Sequence, residues 1–268
     1  MNLEARSLLL GLSCHCDGEW EQVYRILKTK ERISEDEVNE AFMKTDASFT
    51  TIVDEDYADS FKEIYHPPFL LYYYGNFSLL SAPRRISVVG TREPSSYQTT
   101  YTDKFVSEIC HHYEGDVTIV SGMARGLDAV AMRAAMKEGA PVVAVLGSGI
   151  NNPYPKENKD IYEYCKSGKG LVISEYPNDV DPIGDHFVFR NRLIAALCQV
   201  ALIMGGKKAS GTSITVRYAT ELGREIFALP CNISGDDITN SLIADGVRPL
   251  LSADDVITEL DSINRVSS

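Results

Sequence analysis

The stretch VTIVSGMARGLDAVAMRAAMK, Val117–Lys137, decides the fold. The run Val117–Val120 is apolar and largely β-branched, as a buried strand requires, and it ends in Ser121-Gly122. Arg125–Lys137 reads as the helix that follows. The same unit recurs in both directions. Ile86–Val89, Val142–Leu146, Leu171–Ile173, Val200–Met204 and Ile226–Leu229 are further short apolar runs, most of them ending in Gly, Ser or charged residues. Between them, Ser96–His111, Glu157–Cys165, Arg190–Leu197 and Gly211–Leu222 read as helices. Strands that alternate with helices predict an α/β domain with a Rossmann-like, doubly wound parallel sheet. Continuous rather than alternating apolar strands are what burial on both faces demands. In such sheets ligands bind beyond the carboxyl ends of the strands, where the glycines and polar residues collect here.

The first 65 residues follow another pattern. Trp20, Val23, Tyr24 and Leu27 share one face of a helix, and Ser34-Glu35-Asp36-Glu37 has the spacing of a capping box. His66-Pro67-Pro68 breaks any helix. We therefore expect a small helical domain of the SAM or helix-hairpin-helix kind over residues 1–65 and a Rossmann-like domain over residues 66–268. A chain of 268 residues, 44% of them hydrophobic, can bury a core of that size.

Composition narrows the function. The six cysteines are scattered without a C-x-x-C pair, the N-terminus has no leader pattern, and no apolar run approaches a membrane span. A cytoplasmic protein with reduced thiols and no membrane association is expected. Cys14-His15-Cys16 lacks a second pair of ligands at zinc spacing, so no metal and no cofactor are expected. The net charge of −12 excludes indiscriminate nucleic-acid binding. Residues 1–80 hold 7 basic and 15 acidic residues, and residues 81–268 hold 19 and 23. A nucleic-acid site would be a local basic patch in the second part.

Three constellations could form that patch. In Ser121–Asp128, Gly122 and Gly126 permit close backbone approach and Arg125 offers a fork of donors matched to phosphate. Asp128 is read as serving the helix N-terminus rather than catalysis. Phe187-Val188-Phe189-Arg190-Asn191-Arg192 places arginines among aromatics, the composition of a groove for stacking and phosphate contact. The competing reading puts the two phenylalanines in the core and the arginines in ion pairs. Gly205–Thr212 follows a strand and opens a helix. It brings Lys207, Lys208, Ser210 and Gly211 together, without the order of a P-loop. Gly90-Thr91-Arg92 completes the rim.

Together these residues resemble the DNA-processing protein A (DprA/Smf) family. Val88-Val89-Gly90-Thr91-Arg92 is similar to its entry into the Rossmann-like domain, and Ser121–Asp128 to its S-G-x-A-R-G-I-D signature. Tyr154-Pro155 with Asn158, Ile173–Pro177, His186-Phe187 with Arg190-Asn191-Arg192, and Ser210-Gly211-Thr212 follow in order. The resemblance spans roughly residues 65–250. It implies a non-enzymatic protein that binds single-stranded DNA, forms homodimers and loads the RecA recombinase in natural transformation. By position, it assigns DNA contact to Arg92, Ser121, Gly122, Arg125, Gly126, Phe187, Arg190, Asn191, Lys207, Ser210 and Gly211. The C-terminal winged-helix-like domain of many members is not expected here. The chain departs from the family pattern in four places. Gly205-Gly206 stands where Glu-Ala is usual, Asp179, Asp181 and Asp185 crowd a stretch in which the family often has a basic residue, Met132 replaces His, and Ile238 replaces Gly.

Two other readings remain open. Gly205-Gly206, Gly211-Thr212 and Glu221 partly match the motif of nucleoside-monophosphate phosphoribohydrolases of similar fold, with a different spacing. A protein–protein adaptor that has lost DNA binding is the third.

Overall fold

The computed structural model describes residues 3–233 and 237–266. Its centre is one sheet of nine strands. They are β1 (Ser48–Thr51), β2 (Leu70–Gly75), β3 (Arg85–Val89), β4 (Thr118–Ser121), β5 (Val142–Val145), β6 (Leu171–Ser174), β7 (Val200–Ile203), β8 (Glu225–Ala228) and β9 (Arg248–Pro249). Across the sheet they run β1-β2-β6-β5-β4-β3-β7-β8-β9. All neighbours from β6 to β9 are parallel, and all six strands expected from the sequence lie in this part. The sheet is not wholly parallel, however. β2 pairs antiparallel with β6, and β1 antiparallel with β2. Strand β1 belongs to the first 65 residues, so that segment contributes to the sheet as well as carrying helices.

Alternate residues of each strand enter opposite layers, as the pleat dictates. Ile86, Val88, Ile119, Val142, Ala144, Val200 and Leu202 face α5 (Ser96–His112), α6 (Leu127–Lys137), α7 (Lys159–Tyr164) and α11 (Ala253–Val266). Val89, Val120, Val143, Val145, Ala201 and Ile203 face α8 (Gly184–Leu197), α9 (Gly211–Glu221) and α10 (Ile238–Ala244), with the short α4 (Asp59–Lys62) at one side. Helices on both faces make the sheet doubly wound. Its strand order reverses between β3 and β7, so their connections leave toward opposite faces and a crevice opens at their carboxyl ends.

The N-terminal helices are α1 (Leu3–His15), α2 (Trp20–Thr29) and α3 (Glu35–Lys44). The expected capping box forms: the Glu37 amide donates to Ser34 Oγ at 3.2 Å, and the Ser34 amide to Glu37 Oε2 at 2.8 Å. Helix α2 buries Val23 and Ile26 against Leu12 and Cys16, while Tyr24 stays exposed. The inward face is thus turned from the expected Trp20–Tyr24 line, because Trp20 is held at the margin by Nε1 donating to Pro67 O at 2.7 Å. Leu10 and Ala41 join the main core, and Tyr72 of β2 donates to Ser13 Oγ of α1 at 3.0 Å.

Candidate functional site

A cleft of about 630 Å³ lies at the crevice between β3 and β7. Its walls come from Gly90–Glu93 after β3, from α8, and from Gly206–Thr215 after β7. The sequence places it there by ending two adjacent strands in turns whose helices depart to opposite sides.

Ala124 and Asp128 bring the Ser121–Asp128 segment to the cleft, and the other groups of the segment bond mostly within the fold. Ser121 is buried, and its hydroxyl donates to Val88 O at 2.6 Å, tying β4 to β3. Gly122 leaves room for the Arg190 guanidinium, which would lie 2.5 Å from any Cβ there. Gly126 has φ +75° and sits under Thr91 O, so only glycine fits this approach of two turns. Asp128 is buried and accepts from the amides of Gly122 at 3.1 Å, Ala124 at 3.4 Å and Gly90 at 3.4 Å. Burial pushes its carboxyl above the usual range, against the pull of Arg190 and those amides. Asp128 was expected to serve the start of α6; it sits in that helix's first turn, but its bonds go to amides of the preceding loop and of Gly90 rather than to those of the helix. Asn158 clamps the loop from outside, donating to Met123 O at 2.9 Å and Ala124 O at 3.2 Å.

Arg190 is the buried cation of the site. Nη1 donates to Gly122 O at 2.9 Å and to Val145 O, and Nε to Asn191 Oδ1 at 3.2 Å. Burial is the main cause that lowers its pKa to about 10. The nearby Arg92 charge adds to the fall, and Asp128 opposes it. Among the described residues Nη2 has no hydrogen-bond partner, and the residue lines the cleft. Asn191 is a brace: its Nδ2 donates to Gly211 O at 3.1 Å, fixing the start of α9. Arg192 lines no part of the cleft. It is buried in a bidentate pair with Glu175 at 2.5 and 2.7 Å, and its guanidinium lies 3.7 Å from the Phe189 ring centre. The ion-pair reading therefore holds for Arg192, with Glu175 as the partner.

The rim carries the free groups. Arg92 is exposed, has no carboxylate partner among the described residues, and lies 5.7 Å from the Phe187 ring centre. Phe187 in turn lies 5.7 Å from the ring of Tyr154. Lys207 and Lys208 are exposed and unpaired with carboxylates among the described residues. Ser210 turns its hydroxyl to Lys207 O at 2.7 Å, rounding off the loop before α9. The first turn of α9 holds no acidic residue, and the Gly211 and Thr212 amides have no acceptor among the described residues. A helix start of this kind is an anion site. Gly205 and Gly206, at φ +151° and +159°, carry the chain into that turn.

Of the expected contacts, the structure leaves Ser121, Gly122 and Gly126 out of the cleft lining, and Arg125 as well. It forms a bidentate pair with Glu157, Nε–Oε1 2.5 Å and Nη2–Oε2 2.9 Å, on the outer side of the loop. Reading residues by type missed Glu93, Pro182, Gly184, Ile194 and Thr215 of the lining; Thr212 belonged to the Gly205–Thr212 turn, and Tyr154 was marked, with Pro155, only by the family resemblance. Among the described residues there is no group of His, Cys, Asp and Glu able to hold a metal ion, and no helix long and apolar enough to cross a membrane. The six cysteines are unpaired.

With this geometry in place, comparison with known proteins is informative. Residues 48–261 match the model of the family described as DNA recombination-mediator protein A. DNA processing protein DprA of Streptococcus pneumoniae is 38% identical over 213 residues, covering 79% of this chain and 73% of the relative. The DprA of Bacillus subtilis is 36% identical, with 76% and 68% covered. Among solved structures, that of DNA processing protein A from S. pneumoniae superposes with a TM-score of 0.76 at 33% identity, covering 89% of this chain and 80% of that one. DNA processing protein A from Helicobacter pylori, solved for its single-stranded DNA binding mode, gives a TM-score of 0.71 at 28% identity, covering 82% and 99%.

Proposed function

Since the chain belongs to the DNA recombination-mediator protein A family, we propose that it binds single-stranded DNA in the cleft between β3 and β7. The observation that carries this reading is the set of unpaired cations, Arg92, Lys207 and Lys208, around a helix start that holds no acid. Arg92 and Arg190 line the same cleft, and a phosphate between them offsets the repulsion of two like charges. The Gly211 and Thr212 amides offer two further donors to the same phosphate. Phe187 and Tyr154 at the mouth offer faces for bases, a sequence-tolerant contact. Of the residues expected to touch DNA, we assign direct contact to Arg92, Phe187, Lys207, Ser210, Gly211 and the free edge of Arg190. Ser121, Gly122, Gly126 and Asn191 hold those groups in place, and Arg125 lies on the flank.

The role is binding rather than bond chemistry. Glu221, the residue that the hydrolase reading requires, closes α9 at the far end from the cleft and pairs with exposed Arg217 at 3.7 Å. The two carboxylates of the lining are Glu93, on the exposed rim, and Asp128, whose oxygens are taken by amides. Family membership also supports a cytoplasmic homodimer that hands its DNA to a RecA-type recombinase during transformation. Sedimentation that finds only monomer at micromolar concentration would remove the dimer.

The test is fluorescence anisotropy of a labelled oligothymidylate and of a duplex. We expect single-strand binding that Arg92→Glu and Lys207→Glu each weaken by roughly tenfold or more, and weaker binding of the duplex. Arg125→Glu should weaken it least of the three. Unchanged affinity in both Arg92→Glu and Lys207→Glu would sink the cleft as the DNA site.

A further inference from the structure

Residues 1–65 line no part of the DNA cleft, yet one of them reaches its wall. Phe187 stands in the first turn of α8, and that turn is weakly held from within. Its N-cap residue, Ile183, makes no side-chain cap, and the amides of Gly184, Asp185 and His186 have no acceptor among the described residues. A helix start of this kind frays unless something outside holds it. The holder here is His186, the residue before Phe187. It is 4% exposed, and its ring stacks on Tyr176 with 3.8 Å between centres. Nε2 donates to Glu19 Oε1 at 2.6 Å. Nδ1 is buried without a partner, so Glu19 is the one polar anchor of the ring. Glu19 is the N-cap residue of α2, and the turn before it is tightly seated: a Cβ on Gly18 would lie 2.5 Å from Glu175 O. Phe187 has little slack as well, since a Cβ on Gly147 would meet its Cα at 3.1 Å. A small rotation of the turn is therefore felt at the Phe187 ring, which lies 5.7 Å from the Arg92 guanidinium and 5.7 Å from the Tyr154 ring.

We propose that Glu19 is a positioning residue for the DNA cleft. Through His186 it fixes the first turn of α8, and with it the Phe187 face on which a base stacks. The N-terminal helices thereby take part in binding without touching the strand. This role rests on the cleft being the DNA site. Glu19 acts through its hydrogen bond and not its charge, because a carboxylate near a polyanion only repels. Linkage makes the effect mutual: a strand that orders Phe187 tightens the tie to Glu19 and steadies α2. Trp20, next in the chain, is placed to report this. It is the only tryptophan, and it lines no part of the cleft. Its ring lies 4.2 Å from that of His66, whose carbonyl accepts from Arg192 Nε of α8 at 3.0 Å.

Glu19→Ala and Glu19→Gln remove the same charge, but only glutamine keeps an oxygen that accepts from His186. In anisotropy titrations of labelled oligothymidylate with the full chain, Glu19→Ala should weaken binding about fivefold, and Glu19→Gln should stay within about twofold of wild type. Phe187→Ala should weaken binding too, and adding Glu19→Ala to it should weaken it no further. Trp20 emission should change when the oligonucleotide is added to wild type or Glu19→Gln, and not when it is added to Glu19→Ala. Amide hydrogen exchange without DNA reads the positioning by itself. The amides at 188–191, whose helical acceptors are the carbonyls of residues 184–187, should exchange faster in Glu19→Ala and at the wild-type rate in Glu19→Gln, with β3 and β7 unchanged in both. Equal weakening by alanine and glutamine, losses that add to that of Phe187→Ala, or unaltered exchange at 188–191 would overturn the proposal. A wild type that binds the oligonucleotide while Glu19→Ala binds it equally well removes the role of Glu19 alone. A wild type that binds no oligonucleotide removes the DNA reading, and this role with it.

Discussion

Arg190 and Arg92 differ in what their guanidinium groups are free to do, and that difference is testable one residue at a time. Arg190 satisfies two buried carbonyls and offsets the charge of buried Asp128. Arg190→Met strands all three groups and should cost roughly 2–4 kcal/mol of stability, read as a lower urea midpoint. Arg92 is exposed and without an ion pair among the described residues, so Arg92→Ala should shift stability by no more than about 0.5 kcal/mol while still weakening DNA binding. Asp128 adds a pH signature. Its folded pKa is raised by burial, so the folded state holds the proton more tightly than the unfolded chain does. The stabilising effect is complete below the unfolded value, about 3.9, and is lost as pH rises through the folded one. Urea unfolding from pH 4 to 7 should therefore show wild type losing stability relative to Asp128→Asn as pH rises; a flat difference would contradict it. Sequence reading put Arg190, Arg192 and Arg125 in one class because residue type reveals charge but not burial. Only the fold separates a cleft-facing arginine from one buried on Glu175 and another paired outside with Glu157.

Elements were most legible where burial is two-sided. All six interior strands read as short apolar runs because their apolar residues enter one layer or the other. The edges were not legible. In β2, Leu70-Leu71-Tyr72-Tyr73-Tyr74-Gly75 has no alternation, and its place is set by pairing with β6, nearly a hundred residues later. Strand β9 spans two residues. Helix α8 begins at Gly184, ahead of the expected Arg190, and its N-cap residue, Ile183, makes no side-chain cap. The turn after β7 is where sequence and element meet most closely. Gly205-Gly206 departs from the family pattern, and the structure gives the reason: both have positive φ, and a Cβ on Gly205 would lie 2.2 Å from Gln98 Nε2. Gln98 also donates to Asp237 at 2.8 Å and caps α5. Gly205→Ala should displace that side chain and strain the backbone, costing about 1–3 kcal/mol, measured as a fall in Tm. A Tm equal to wild type would mean the turn tolerates a side chain and the substitution carries no structural reason.

At the scale of the whole molecule, the proposed function requires a protein of net charge −12 to hold a polyanion. Most of the surface repels it, and that repulsion acts over about a Debye length, 8–10 Å in physiological salt. Attraction must come from a few cations placed where the acidic surface does not reach. Arg92 and Lys207 line the cleft with Arg190 buried behind them, Lys208 is exposed next to Lys207 in the chain, and together they outnumber the exposed Glu93 of the lining. Contact with about three phosphates predicts that log K falls against log salt concentration with a slope near −2 for a single strand. A strand can fold its phosphates into a cleft of about 630 Å³ one at a time. A duplex is stiff, and would also bring its second strand against the acidic surface, so it should bind more weakly at every salt concentration. Removing one cation, as in Lys207→Gln, should lower affinity and flatten the slope by about 0.7 together. A variant that lost affinity with the slope unchanged would show that Lys207 shapes the turn before α9 rather than meeting a phosphate. A slope steeper than about −5 in the wild type would require many more contacts than this rim provides, and would move the DNA path off the cleft.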